Sequence, residues 1–297
     1  MTFTTPIQDY GQAFLLKADY KTLALGSCFA QVVGKRMADL GLCTLLNPTG
    51  TLYNPMSIAL TLQSAMDIAE HKATAYEVAD NTLFMANDEK WYSWMAASLI
   101  QGQSREECST LMAGTLNTLA DRIAQLDVLL LTFGTDHYYT LCNNTDIPAV
   151  TNCHKMPAAM FEEKIMDTSE IVALLSQTIQ RLLLLRPDLH IIMSVSPYRY
   201  LKYGLHNSRL SKARLLLATD EITRLFPQAY YFPAYEIMND ELRDYRFYAA
   251  DMLHPSDVAE QFIWQKFCDN YMDATLRQSL HDREKALKAA AHRPLHP

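Results

Sequence analysis

The stretch Leu25-Gly26-Ser27-Cys28-Phe29-Ala30 decides the fold, because a short apolar run ends there and an amphipathic one begins. Thr22-Leu23-Ala24-Leu25 is brief, apolar and partly β-branched, which suits a buried strand. Beyond it Val32, Val33, Met37 and Leu40 recur at helical spacing, with Gln31, Lys35, Arg36 and Asp39 on the other side. The change of period predicts a strand-to-helix turn at Ser27, with Gly26 allowing a sharp bend. A side chain at such a turn stands above a sheet edge, beside the unpaired N–H groups of the first helical turn. Ser27 is therefore the candidate nucleophile, although serine caps many helices that catalyse nothing.

A serine hydroxyl needs an imidazole to take its proton and a carboxylate to hold that imidazole. Asp251-Met252-Leu253-His254-Pro255-Ser256 supplies both from one loop ahead of a final helix, so Asp251 and His254 complete a candidate Ser-His-Asp set. Glu236 is a rival to Asp251, although a helix-start carboxylate explains it adequately.

These residues carry a family resemblance. Gly26-Ser27-Cys28-Phe29-Ala30 resembles the signature for which the GSCFA family is named, a bacterial branch similar to the SGNH (GDSL-like) hydrolases. Asn47-Pro48-Thr49-Gly50, Tyr53-Asn54-Pro55, Asn152-Cys153-His154-Lys155, Ser194-Val195-Ser196-Pro197, Ser211-Lys212-Ala213, Tyr231 to Glu236 and Asp251 to Ser256 resemble its further segments, in order. The resemblance covers about residues 20 to 272. It implies a three-layer α/β/α sandwich with a central, mostly parallel, flavodoxin-like sheet, loop insertions near the active site, and a serine esterase site at the sheet's carboxyl edge. It also implies an oxyanion hole built from the N–H groups of Ser27 and Gly50. The loop that carries Gly-x-Asn in many SGNH enzymes reads Gly134-Thr135-Asp136 here, and an ionised aspartate would repel an oxyanion. Asn152 is the substitute donor.

The rest of the chain agrees with alternating strands and helices. Leu42–Leu46, Asp127–Phe133, His190–Val195 and Tyr230–Pro233 read as strands, and those at 127 and 190 are apolar on both faces, as central parallel strands are. Helices are predicted over 56–70, 104–125, 167–185, 208–225 and 256–276, with a capping box at Ser104 and a helix start at Asp167. Leu83-Phe84-Met85 and Trp91-Tyr92-Ser93-Trp94 read as a hairpin within an insertion at about 80–100. Its aromatics suit packing, a lid or stacking on a sugar ring. Residues 1–278 form one domain on this reading, and 279–297 a polar, flexible tail.

Hydrophobic residues make up 49% of the 297, enough for a substantial core, and the net charge of −7 argues against a nucleic-acid partner. The six cysteines show no C-x-x-C pair, so no metal, cofactor or disulfide framework is implied. Without a basic, apolar leader or a long uncharged apolar run, the expectation is a cytoplasmic protein that uses no membrane. Adjacent side chains on an extended segment diverge, which disfavours a Cys153–His154 nucleophilic pair. His154, Tyr198 and His206 are candidate substrate contacts, as are Arg199 and Lys212. The activity expected is hydrolysis of a small O-acyl ester, such as acetyl on a carbohydrate. The alternatives are acyl transfer to a sugar hydroxyl and a non-catalytic carbohydrate-binding relative. Acyl chain, alcohol and oligomeric state stay open.

Overall fold

The computed structural model describes residues 5–7 and 14–291. Met1 to Thr4, read above for a leader, and residues 292–297 of the expected tail lie outside the described residues.

β1 (Thr22–Gly26) feeds α1 (Cys28–Asp39), which returns the chain to β2 (Thr44–Leu46). α2 (Pro55–Ala69) and α3 (Ala75–Asp80) follow, then a small antiparallel unit of β3 (Leu83–Met85), β4 (Trp91–Ser93) and β5 (Gln101–Gly102). α4 (Arg105–Ala124) leads to β6 (Val128–Phe133), and β7 (His137–Leu141) pairs antiparallel with β8 (Phe161–Ile165). α5 (Thr168–Leu185), β9 (His190–Val195), α6 (Gly204–Leu225) and β10 (Ala229–Tyr231) complete the alternation. α7 (Ala234–Glu236) runs into a π-helical turn, Ile237–Leu242, before α8 (Asp257–Tyr271) and α9 (Ala274–Ala291).

The main sheet has the order β10-β9-β6-β1-β2, every pairing parallel. Its strands alternate their side chains between two cores. Leu23, Leu25, Leu129, Leu131, Phe133, Ile191 and Met193 pack against α2, α4, α5 and α6. Ala24, Val128, Leu130 and Ile192 face the other way, against α1, α8 and α9. The result is a three-layer α/β/α sandwich, with apolar residues at both phases of the strand period because both faces are covered.

Several boundaries differ from the sequence reading. The predicted tail is helical through Ala291: Leu280 is buried, and the Arg283 guanidinium donates to the Leu40 carbonyl at 2.7 Å. This anchors α9 beside the end of α1, and the polar composition that suggested a tail belongs to its outer face. The break between α8 and α9 falls at Met272, whose extended backbone ends the predicted 256–276 helix early. At Ser104 the cap is half of a box, because Glu107 reaches back to the Gln103 N–H instead of its own N-cap's, whereas Asp167 and Glu170 form the full reciprocal pair. The β7–β8 pair was not foreseen. Charged residues in Phe161–Ile165 hid the strand, which is half exposed.

Gly26 fixes where the functional edge lies. Its φ of +136° is a conformation that side chains avoid, and a Cβ there would sit 2.2 Å from the Thr132 carbonyl oxygen of β6. Gly26→Ala combines backbone strain with overpacking and is expected to lower the unfolding free energy by about 3 kcal/mol, as measured by urea denaturation. A loss below about 1 kcal/mol would show that β1 and β6 separate readily at this point.

Candidate active site

The chain leaves β1 toward β2 on one side and returns to β6 on the other, so the crevice between their carboxyl ends is the switch point of the sheet. The Gly26 peptide is tied there from both sides. Its N–H donates to Asn47 Oδ1 at 2.9 Å, and its carbonyl accepts from the Leu52 N–H at 3.2 Å. The next N–H, that of Ser27, donates to the Thr132 carbonyl at 3.0 Å.

This bonding decides which side chain reaches the crevice. Ser27 is the extended N-cap residue of α1 but makes no side-chain cap bond; it is 1% exposed, and its Oγ is buried without a partner. The helix begins at Cys28, and it is Cys28 Sγ that faces the base, 3.9 Å from His254 Nε2. Ser27, the nucleophile expected from the sequence, lies differently. Its hydroxyl turns into the protein beside Gly134, and the imidazole it would need addresses the neighbouring thiol.

His254 is held at its other nitrogen. Nδ1 lies 2.5 Å from Asp251 Oδ2, while Asp251 Oδ1 accepts the N–H groups of Leu253 and His254 at 2.9 and 3.0 Å. Met252, with φ +60°, lets the loop fold back on itself. The hydrogen bonds from the imidazole and then from the two N–H groups pull Asp251 from its ordinary 3.8 to about 2. Glu236, the rival acid, instead accepts the Tyr231 hydroxyl at 2.7 Å, and burial pushes its carboxyl up. Arg199 braces the same loop: its N–H donates to the Leu253 carbonyl, its guanidinium to that of Met252, and the group lies over the Tyr248 ring. Burial raises the Cys28 thiol above its usual value, opposed by its own backbone N–H and by the charge of Lys212.

Two of the expected oxyanion donors, the N–H groups of Ser27 and Gly50, are spent. The Ser27 N–H belongs to the sheet, and the Gly50 N–H closes a turn on the Asn47 carbonyl at 2.8 Å. Asn152 folds its Oδ1 onto the His154 N–H at 2.7 Å. The first turn of α1 supplies the alternative, since with Ser27 not capping it, the N–H groups of Cys28, Phe29 and Ala30 have no intrahelical acceptor. The Asp136 carboxylate does not enter the cleft. It is 0% exposed, with Oδ2 accepting from Arg214 Nη1 at 2.6 Å.

Of the expected substrate contacts, Tyr198 borders the cleft, its ring centroid 4.3 Å from that of His254. His154 does not. Its ring nitrogens meet the Ser93 carbonyl and Ser98 Oγ, it packs among Phe84, Tyr92 and Trp94, and burial lowers its pKa. With both nitrogens engaged it is no partner for Cys153, which packs into the Trp94 cluster. His206 is exposed in the first turn of α6, outside the cleft. Two tyrosines join the site unannounced: Tyr53 is 40% exposed, and Tyr200 packs edge-on against both Tyr53 and Tyr198. Phe29, Val32, Pro197 and Ile263 line the cleft beside Cys28, with Glu260 among them. Among the described residues no group of three or more His, Cys, Asp or Glu side chains is placed to hold a metal ion, and no helix is long and apolar enough to cross a membrane.

The profile of the GSCFA family matches residues 21–267. A search of curated proteins returned no match. Among solved structures, a carbohydrate esterase family 3 protein from Talaromyces cellulolyticus aligns at 9% identity over 88% of this chain and 98% of its own, with a TM-score of 0.34.

The depressed Asp251 carboxyl is checked by following its titration by NMR. The stabilising bonds to this carboxylate are fully present above its ordinary 3.8 and are lost as pH falls through about 2. In His254→Ala the midpoint is expected to rise part of the way back, because the two N–H donors remain. An unchanged midpoint would mean that the imidazole does not hold this acid in solution.

Proposed function

The chain belongs to the GSCFA family, and we propose that it is a cysteine-dependent acyl hydrolase acting on short esters, with Cys28 as nucleophile, His254 as general base and Asp251 as the orienting carboxylate. The observation that carries this reading is the facing of Cys28 Sγ and His254 Nε2 while Ser27 Oγ is sealed from solvent. The 3.9 Å separation suits a resting site, since catalytic hydrogen bonds often tighten only when substrate is bound.

In this mechanism His254 Nε2 takes the thiol proton as Cys28 Sγ attacks the ester carbonyl carbon, and the carbonyl π pair moves onto oxygen. The first-turn N–H groups of α1 face the oxyanion. The intermediate collapses, the C–O bond to the alcohol breaks, and the imidazolium returns the proton to the leaving alkoxide. Water then attacks the thioester with His254 again as base, releasing the carboxylic acid and restoring the thiol. Asp251 stays ionised throughout, holding Nδ1–H and stabilising the imidazolium.

The lining by Phe29, Val32, Pro197 and Ile263 is apolar and the space beside Cys28 is small, which supports an acyl group no larger than acetyl. On the outer side Tyr53 and Tyr198 offer ring faces of the kind that stack on a sugar, which supports an O-acylated carbohydrate as the alcohol component. Asp136, buried on Arg214, places no negative charge at the oxyanion, which removes the main reason for reading a non-catalytic carbohydrate-binding relative.

Turnover of p-nitrophenyl acetate tests the assignment. Cys28→Ala is expected to lose about a thousandfold or more, in line with removal of a nucleophile from a triad. Ser27→Ala should stay within about threefold of the parent and cost little stability, because it deletes a buried hydroxyl that has no partner. The reverse pattern, with Ser27→Ala inactive and Cys28→Ala active, would return the nucleophile to Ser27. Asp251→Asn should keep the fold and slow turnover by about 10³- to 10⁴-fold, the order known for loss of the orienting acid. Parent rates in that variant would remove Asp251 from the mechanism.

A further inference from the structure

Lys212 is the most deeply buried lysine near the site, 2% exposed on α6, and lysine is rarely buried so fully without a carboxylate partner. The nearest candidate, Asp136, gives its Oδ2 to Arg214. Among the described residues one acceptor lies within hydrogen-bonding reach of Lys212 Nζ, the Gly134 carbonyl at 2.5 Å, although an ammonium has three donors. The Tyr200 ring lies beneath it, 5.2 Å from Nζ to the centroid. Gly134 itself is the floor of the crevice: a Cβ built there would come within 2.5 Å of the Tyr200 hydroxyl and 3.2 Å of the Ser27 Cβ. The charge is thus lodged behind the strand-to-helix turn that carries Cys28, on the β6 end of the switch point.

We propose that Lys212 is a positioning residue of the Cys28 site, whose buried ammonium, fixed on the Gly134 carbonyl, stabilises the thiolate and the negative charge that follows it onto the substrate. The inference rests on Cys28 as nucleophile. It supplies the electrostatic element that the engaged N–H groups of Ser27 and Gly50 do not. The coupling runs in both directions, since the Lys212 charge lowers the Cys28 thiol and the Cys28 thiolate raises Lys212 against the burial that brings it to about 7.

Other groups also face this pair. From α8 and the loop before it come Glu260, which raises the thiol, and His254. Tyr53, Tyr198 and Tyr200 stand on the tyrosine side, each pushed up by burial first and by the Cys28 charge second. Asp136 faces Lys212 from the turn after β6. Replacing Lys212 alone leaves all of these in place.

The test is alkylation of Cys28 by iodoacetamide from pH 5.5 to 9.5, read on its own peptide by mass spectrometry, in the parent, Lys212→Gln and Lys212→Met. Cys142, exposed at the surface, is the internal reference. Glutamine can still donate to the Gly134 carbonyl without bringing a charge, so it separates the electrostatic role from a merely structural bond. Both variants are expected to shift the Cys28 profile upward by about one pH unit or more, so that labelling at pH 7 falls roughly tenfold while Cys142 is unchanged. An unshifted Cys28 profile in folded Lys212→Gln would overturn the proposal and leave Lys212 as a support for Gly134. Should Lys212→Met fail to fold, the glutamine variant decides alone. If both fail to fold, the ammonium is needed for the fold itself, and the proposal that it serves the Cys28 thiolate is rejected in favour of a structural role. The Cys28 reading is separable, because it stands or falls on p-nitrophenyl acetate turnover by Cys28→Ala, which does not involve Lys212.

Discussion

The site depends on how closely β1 and β6 approach at Gly26. With no side chain between the Gly26 Cα and the Thr132 carbonyl, the two strands stay paired to the last residue of β1, and the Ser27 N–H continues the ladder. The Gly26 N–H donates to Asn47 and its carbonyl accepts from Leu52, so the loop after β2 is tied to the crevice as well. Once Ser27 is locked into the sheet its hydroxyl faces inward, and the first residue free to present a side chain to the cleft is Cys28. A backbone constraint thus selects the side chain that the cleft receives.

The electrostatics follow from unequal burial. Asp251 and His254 sit on an exposed loop, where an ion pair adds little to stability, so their short contact serves to orient the ring. Cys28 is half-buried and Lys212 fully so. Charge on the sulfur is consequently costly at rest and best sustained by groups already fixed around it: the α1 amino terminus, the imidazole and the lysine. A thiol raised by burial is also less open to adventitious oxidation.

The insertion serves the site indirectly. Phe84 stacks on Trp94 at 3.5 Å between centroids, His154 bonds to Ser93 and Ser98, and the Ala97 N–H donates to the Thr49 carbonyl. The segment around residues 93–98 therefore joins the 152–154 loop to the loop of Gly50. That is why Asn152 and His154, which match motif segments, are occupied as supports of this junction and do not reach the cleft.

Much of this was legible in the residues alone. The change from strand to helical period at Gly26, the doubly apolar runs at 127–133 and 190–195 and the capping residues at 104 and 167 are local patterns, and local patterns report periodicity and burial. The Asp251–His254 contact was legible too, because three residues in one turn suffice to make it. What the chain could not disclose lies at long range. Which of two adjacent residues, Ser27 or Cys28, meets an imidazole 226 positions away depends on how Gly26 and Ser27 are bonded to the 47–52 loop and to β6. The burial of Lys212 beneath the crevice and the diversion of Asp136 onto Arg214 depend on how α6 packs across β6. Sequence by itself determined the layers and the chemistry on offer at the edge; the tertiary structure decided which groups face one another, since that orientation is set by hydrogen bonds between strands and loops distant along the chain.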